Sequence, residues 1–340
     1  MKAPWEGTWN GTRYRADGRD HIESFFVKAT APDAGRAIWL KATIWASAAE
    51  PDRAVAEGWA IAFDHRGDQR RNVAVKHTIP FGEASLSNRD LAIDWQLSGS
   101  DDRLELRPGA TSGVITTGDD RIEWQLSFAG DDRPMVAFPH ARMYTGPLPK
   151  TKQVTPYPDV RMDGWVQVRD ERWAIESWAG MQGHNWGSRH TELYAWCHCN
   201  HWEQDTELTL EAMSGRVRVG PVLLPMLSVV GVRYRGQDFP FNSLRQTVTT
   251  RADVGMRRYA FSAQGKSGHI EGLLEAEVDD FVGLYYRNPQ GPTTHCLNSK
   301  LATGRIRFEP RGQAPIELAT RAAALEVGTL RADHGVKMHV

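Results

Sequence analysis

Apolar and polar side chains alternate with a period of two along most of the chain, while an apolar spacing of three and four residues is hard to find over any useful length. Such alternation puts successive side chains on opposite faces of an extended backbone and predicts a mostly β protein. In the first half, "ESFFVKAT", "AIWLKATIWA", "VAEGWAIAFD", "NVAVKHTIPF", "LAIDWQLS", "RLELRP" and "RIEWQLSFAG" read as strands. "SDDR" at 100–103 and "GDDR" at 118–121 and 130–133 carry the Asp and Gly that tight reversals use, so "DWQLS" (94–98) and "EWQLS" (123–127) read as equivalent strands of successive hairpins. The stretch "GPLPKTKQVTPYPD" at 146–159 holds four prolines, which cannot donate to a sheet ladder, and it reads as a linker. A boundary near 155 then divides the chain into residues 1–155 and 156–340. Strands resume beyond it, and one helix is expected near the end, over "APIELATRAAALEVG".

The halves also resemble each other. Glu23 heads "ESFFVKA" and is followed by "LKATI"; Glu192 heads "ELYAWCH" and is followed at a similar distance by "LTLEA". Two similar β barrels in tandem fit this pattern, since closing a sheet removes its edges and leaves an interior able to hold a small molecule.

Composition narrows the partners. A formal net charge of −1 provides no basic stripe for phosphates, so nucleic acid is not expected. The longest apolar run, 217–232, is broken by Arg218, Pro221 and Pro225 and is too short to span a bilayer. With no apolar leader at the N-terminus and three cysteines, an odd number suited to reduced thiols, a cytoplasmic protein without a transmembrane segment is expected. Thirteen tryptophans are the outlier, enough to line a sizeable core or an apolar ligand cavity.

Four of them fall with four histidines and two cysteines in "WAGMQGHNWGSRHTELYAWCHCNHW", residues 178–202. Taken as a strand, 191–202 puts Glu192, Tyr194, Trp196, His198, Asn200 and Trp202 on one face, and Leu193, Ala195, Cys197, Cys199 and His201 on the other. The first face mixes large aromatics with hydrogen-bonding groups, as a wall facing an organic ligand does. The second is small and mostly apolar. A metal site on Cys197, Cys199 and His201 lacks the Cys-x-x-Cys or paired-His spacing of zinc centres, so buried thiols against a core are the expectation and no metal ligands are assigned. "GMQGHNWG" (180–187) reads as a glycine-rich turn presenting His184, Asn185 and Trp186.

"GHNWG", followed by the aromatic strand "LYAWCH", resembles the signature region of the superfamily of carotenoid 1,2-hydratase (hydroxyneurosporene synthase), tocopherol cyclase and AttH-like proteins. "ESFFVKA" resembles its first-domain opening and "HCLNSKLATGRIRF" (295–308) its late strand pair. The resemblance implies an all-β fold of two tandem lipocalin-like (calycin) β-barrel domains, to which the short C-terminal helix would be added. It implies cofactor-independent hydratase, cyclase or isomerase chemistry on an apolar isoprenoid-like or polyketide-like molecule. Protonating an alkene needs an acid shielded from water, and aromatic faces stabilise the cation that follows. Where the hydratases carry an acidic Asp, this chain has Gly183. The candidate proton carriers are therefore His184, Glu192, Glu176 and Glu23, with Asn185, Trp186, Tyr194, Trp196, His198 and Trp202 as substrate contacts. Lys41, between Trp39 and Thr43 on one strand face, is a candidate interior lysine with no support for a Schiff-base role. A non-catalytic carrier or sensor of hydrophobic ligands uses the same cavity and stands as the alternative.

Overall fold

The computed structural model describes all 340 residues except 68, 205, 206, 220 and 221, and at 218 and 219 it describes the backbone alone. The alternating segments form two antiparallel sheets. The first, of 12 strands, contains β1 (His21–Thr30), β2 (Arg36–Ser47), β3 (Glu50–Asp64), β4 (Val73–Pro80), β5 (Ala84–Leu86), β6 (Ile93–Gln96), β7 (Arg103–Arg107), β8 (Ala110–Thr117), β9 (Asp120–Asp131), β10 (Met135–Val136), β11 (Thr151–Val168) and β12 (Glu171–Gly187). The second, of 10 strands, contains β13 (Leu193–Cys199), β14 (Leu208–Val219), β15 (Val222–Tyr234), β16 (Gln237–Phe241), β17 (Arg251–Val254), β18 (Arg258–Gly265), β19 (Gly268–Glu275), β20 (Val282–Tyr286), β21 (Thr294–Pro310) and β22 (Ile316–Thr329).

Both sheets have one plan. Four successive strands, β4-β3-β2-β1 or β16-β15-β14-β13, meet the unit's last strand, β12 or β22, and the order then runs back through β11 and β9 or through β21 and β19. The short β10 and β20 pair with β11 and β21 in the same way. The two sheets thus repeat one topology, with "LKATI" on β2 and "LTLEA" on β14. Curling of the first sheet brings β4 beside β8, where the Thr117 hydroxyl accepts from the Lys76 amide at 2.9 Å and donates to the Lys76 carbonyl at 2.9 Å. Each barrel holds its own core: Phe25, Val27, Leu40, Trp95 and Trp124 in the first, Leu210, Tyr259, Phe261, Phe308 and Leu325 in the second. Outer faces of β1, β2, β3 and β12 pack against those of β13, β20, β21 and β22 through Phe26, Trp39, Trp59, Trp196, Leu284 and Tyr286.

Three expectations are corrected. "ELATRAAALEVG" forms β22, not a helix. Its alanines favour a helix intrinsically, but β22 is a central strand paired with both β13 and β21, and Ala322, Ala323 and Ala324 are fully buried in it. The proline-rich stretch is not a linker: from Thr151 it is β11, between β12 and β9, and Pro156 and Pro158 sit where the register slips between Val154, Tyr157 and Val160. Bulges leave those positions without ladder donors, which is the condition proline requires. The chain passes from the first sheet to the second between Gly187 and Leu193. Finally, "GMQGHNWG" lies within β12 and is extended. Its glycines serve close packing rather than a reversal. Among the described residues no helix is long and apolar enough to cross a membrane.

Candidate active site between the barrels

Alternation on β12 decides which groups meet. His184 and Trp186 point into the end of the first barrel, whereas Gly183 and Asn185 point out towards the second, beside Phe26 and Ser24 of β1. His184 is completely buried. It stacks on Phe25 with ring centroids 4.1 Å apart, and its Nδ1 donates to the Trp9 carbonyl at 2.6 Å. Its Nε2 meets Glu23 Oε1 at 2.8 Å. The Glu23 carboxyl also accepts from the Thr12 hydroxyl, the Arg13 and Tyr14 amides and the His21 ring, at 2.7, 2.8, 3.2 and 3.0 Å. Burial alone would raise this carboxyl, but the bonds from His184 and His21 hold it well below the ordinary carboxylate range. Glu23 and His184 therefore clamp the N-terminal segment over the barrel end. Trp186 joins Trp5, Trp9 and Tyr144 in the same cap.

A cavity of about 250 Å³ lies on the other side of this wall, between the barrels. Asn185, Glu192, Tyr194 and Trp196 line it, as do Ser24, Phe26, Trp39, Lys41, His190, Tyr286 and Glu326. The structure thus brings four of the sequence candidates together and separates the rest. Glu176 is exposed on β12. His198 is buried and donates from Nε2 to the Pro158 carbonyl at 2.9 Å. Trp202 lies past the end of β13, where strand parity no longer holds, and packs in the second-barrel core with Nε1 donating to the Leu208 carbonyl at 2.7 Å. Cys197 and Cys199 face that core as free, buried thiols. Among the described residues no group of three or more His, Cys, Asp or Glu side chains is placed to hold a metal ion.

The cavity wall is rich in aromatic rings, and Lys41, Lys150, Arg189, Glu192, Arg216 and Glu326 are ionisable groups among its lining. Phe26 meets Trp196 edge-on at 5.7 Å and Trp39 at 6.2 Å. Glycine on a neighbouring strand makes room for such rings: a Cβ at residue 328 would lie 1.8 Å from the ring of Tyr194, its cross-strand partner. Lys300 donates to Asn298 Oδ1 at 2.6 Å and to Glu326 Oε1 at 3.2 Å, with its ammonium 4.1 Å from the Trp39 ring centroid. Lys41 has its ammonium 3.8 Å from the Tyr286 ring centroid, and burial lowers it to about 8. His190 donates from Nδ1 to Asn288 Oδ1 at 3.1 Å. Burial and the Lys41 charge lower it to about 3, so it stays neutral with Nε2 as an acceptor. Beside the cavity, Glu211 accepts from Trp196 Nε1 at 3.0 Å and from Thr155 at 2.8 Å, and burial raises its carboxyl.

Glu326, Lys300 and His190 were not singled out from sequence. Glu326 has a positional signal that only pairing reveals. Phe26 on β1 faces the other barrel and pairs with Gly183 on β12; Trp196 on β13 faces back and pairs with Glu326 on β22. Residue 326 thus faces outward on the last strand of the second barrel, as residue 183 does on the last strand of the first. A side chain at 183 would collide with Phe26, whose Cζ lies 2.3 Å from the position a Cβ would take. Gly183→Asp is accordingly expected to cost about 1–3 kcal/mol in thermal unfolding, and to cost less when Phe26→Ala is already present. Equal costs in the two backgrounds would show that the ring does not block the position.

Two barrels enclosing an aromatic cavity with a few buried ionisable groups define the class of protein, and sequence comparison gives the family. The tocopherol cyclase-like family model matches residues 111–329, and the chain belongs to that family. It is 25% identical over 177 residues to the chloroplastic tocopherol cyclase of Zea mays, a match covering 48% of this chain and 36% of the maize protein, so it spans about a third of that relative. Among solved structures, a Nitrosomonas europaea protein described as AttH superposes with a TM-score of 0.55 at 14% identity, covering 97% of this chain and 100% of its own, and it shares the fold. Kievitone hydratase of Nectria haematococca superposes with a TM-score of 0.49 at 8% identity, covering 98% of each chain.

Proposed function

We propose that the chain is a cofactor-independent enzyme of the hydratase or cyclase type, acting on an apolar isoprenoid-like or polyketide-like small molecule held between the two barrels. The observation that carries this reading is a carboxyl, Glu326, set among aromatic rings in the wall of the cavity, on the last strand of the second barrel. Trp39, Trp196, Phe26 and Tyr194 supply flat faces on which a flexible chain can fold and which stabilise positive charge developing on it. Glu326 holds or passes the proton, and Lys300 and Asn298 fix its orientation. Glu192, also lining the cavity, is the second candidate for proton transfer. Three buried free thiols suit a reducing compartment such as the cytoplasm.

Carriage of a hydrophobic ligand is the second reading, favoured by Gly183 and by the Phe26 ring that fills the space beside it. Incubating the protein with linear isoprenoids and polyketides and following products by mass spectrometry separates the two. Ring closure or water addition at a rate above the uncatalysed background supports the enzyme. Saturable quenching of tryptophan emission by ligands that are never converted supports the carrier.

A further inference from the structure

Lys41 differs from the other buried lysines. Lys300 is hydrogen-bonded to Asn298 and Glu326, and Lys28 lies 3.5 Å from Asn200 Oδ1. Lys41 is only 5% exposed, yet among the described residues its ammonium has no hydrogen-bond acceptor and no ion-pair partner. Around it are the rings of Tyr286, Trp39 and Trp59, with centroids at 3.8, 5.3 and 5.6 Å, which attract a cation without accepting its hydrogen bonds. The nearest carboxylates are engaged elsewhere. Glu326 accepts from Lys300, Asn298 and the Cys296 thiol, and Glu57 pairs with Lys76 at 2.7 Å and accepts from Thr43 at 2.8 Å. Among the described residues Lys41 is thus a cavity-lining ammonium without a carboxylate of its own.

Two neutral groups share the same wall. Ser24 and Asn185 are direct partners across β1 and β12, both line the cavity, and among the described residues neither side chain makes a hydrogen bond. Lys41 stands across from Phe26, one outward position further along the sheet. One cation and two hydrogen-bonding side chains, none with a partner among the described residues, thus line the same first-barrel wall of the cavity. A ligand bearing an anionic oxygen pair offers these groups the partners that the protein does not supply.

We propose that this wall of the cavity is a carboxylate subsite, in which Lys41, Ser24 and Asn185 receive the head group of an apolar carboxylic acid while its hydrocarbon lies along Trp39, Phe26 and Trp196. The proposal rests on the reading of the cavity as a small-molecule site and narrows the substrate class to amphipathic acids. A carboxylate is favoured over a phenol because it is ionised at neutral pH, as the unpaired ammonium requires.

The test compares dodecanoic acid with its methyl ester, using quenching of tryptophan emission in the full-length protein. The acid is expected to bind at least about tenfold tighter than the ester. Lys41→Met should abolish this preference while leaving ester affinity unchanged, and should raise the melting temperature of the free protein because a buried ammonium without a carboxylate of its own is removed. Should Lys41→Met not fold, Asn185→Leu and Ser24→Ala take its place, each expected to lower the acid-over-ester ratio severalfold. Equal affinity for acid and ester in the wild type, or an acid preference that survives these substitutions, overturns the subsite while the cavity reading stands. Binding of neither probe brings down the cavity reading and the subsite with it.

Discussion

Glu23→Ala is expected to destabilise the protein by about 3–5 kcal/mol, the range for breaking a buried, hydrogen-bonded charge pair from one side. The loss is large because five donors, from Thr12, Arg13, Tyr14, His21 and His184, would be left facing a void. Urea unfolding at neutral pH measures it. The pH dependence has a definite sign. Since the folded carboxyl is held below its ordinary value of 4.5, its contribution is fully present above that pH and is lost as the pH falls through the folded value. The gap between wild type and variant should therefore narrow below about pH 4.5. Where Glu23→Ala is still folded, its affinity for cavity ligands should be unchanged, because Glu23 faces the barrel end and not the cavity. A large loss of ligand affinity with unchanged stability would return Glu23 to the binding site.

Glu326→Gln is expected to lower turnover by about 100-fold to 10,000-fold with ligand affinity largely preserved, the pattern left when a proton-transferring group is removed. Glutamine keeps an acceptor for Lys300, so the buried ammonium is not stranded and the comparison is with a folded protein. Glu192→Gln is the control from the same cavity. A larger loss in Glu192→Gln than in Glu326→Gln would move the proton transfer to Glu192. Full activity in both variants would leave folding of the substrate against the aromatic wall as the source of rate.

Much of the architecture could be read from alternation alone. Strands such as "ESFFVKAT" and "AIWLKATIWA" appear as β1 and β2, and Glu192, Tyr194 and Trp196, which parity puts on one face, line the cavity together with Ala195. Parity failed where a strand stopped. Trp202 lies three residues past Cys199, the end of β13, and its side chain turns into the core. The segments misread were those in which local preference and tertiary pairing disagree: alanines that would form a helix in isolation, prolines that a bulge accommodates, and glycines that admit a ring instead of a turn. Glu326 lay beyond sequence reasoning for another reason. It reaches the cavity from a part of the chain far from "GHNWG", and only the β13–β22 pairing and the seating of the second barrel on the first bring it there.

The tripeptide His184-Asn185-Trp186 divides its side chains between two compartments, with the backbone of β12 as the partition. Because the His184 ring is fixed at both nitrogens, the peptide carrying Asn185 cannot shift without disturbing the cap over the barrel end. The first-barrel side of the cavity is consequently a stiff template, against which a ligand must conform. Compliance has to come from the opposite bank, where unbranched Met213 and the aliphatic Leu227 and Val229 line the space. Substrate range should then be retuned most readily by exchanging side chains on β14 and β15, whereas exchanges within the tripeptide will be felt first as altered folding.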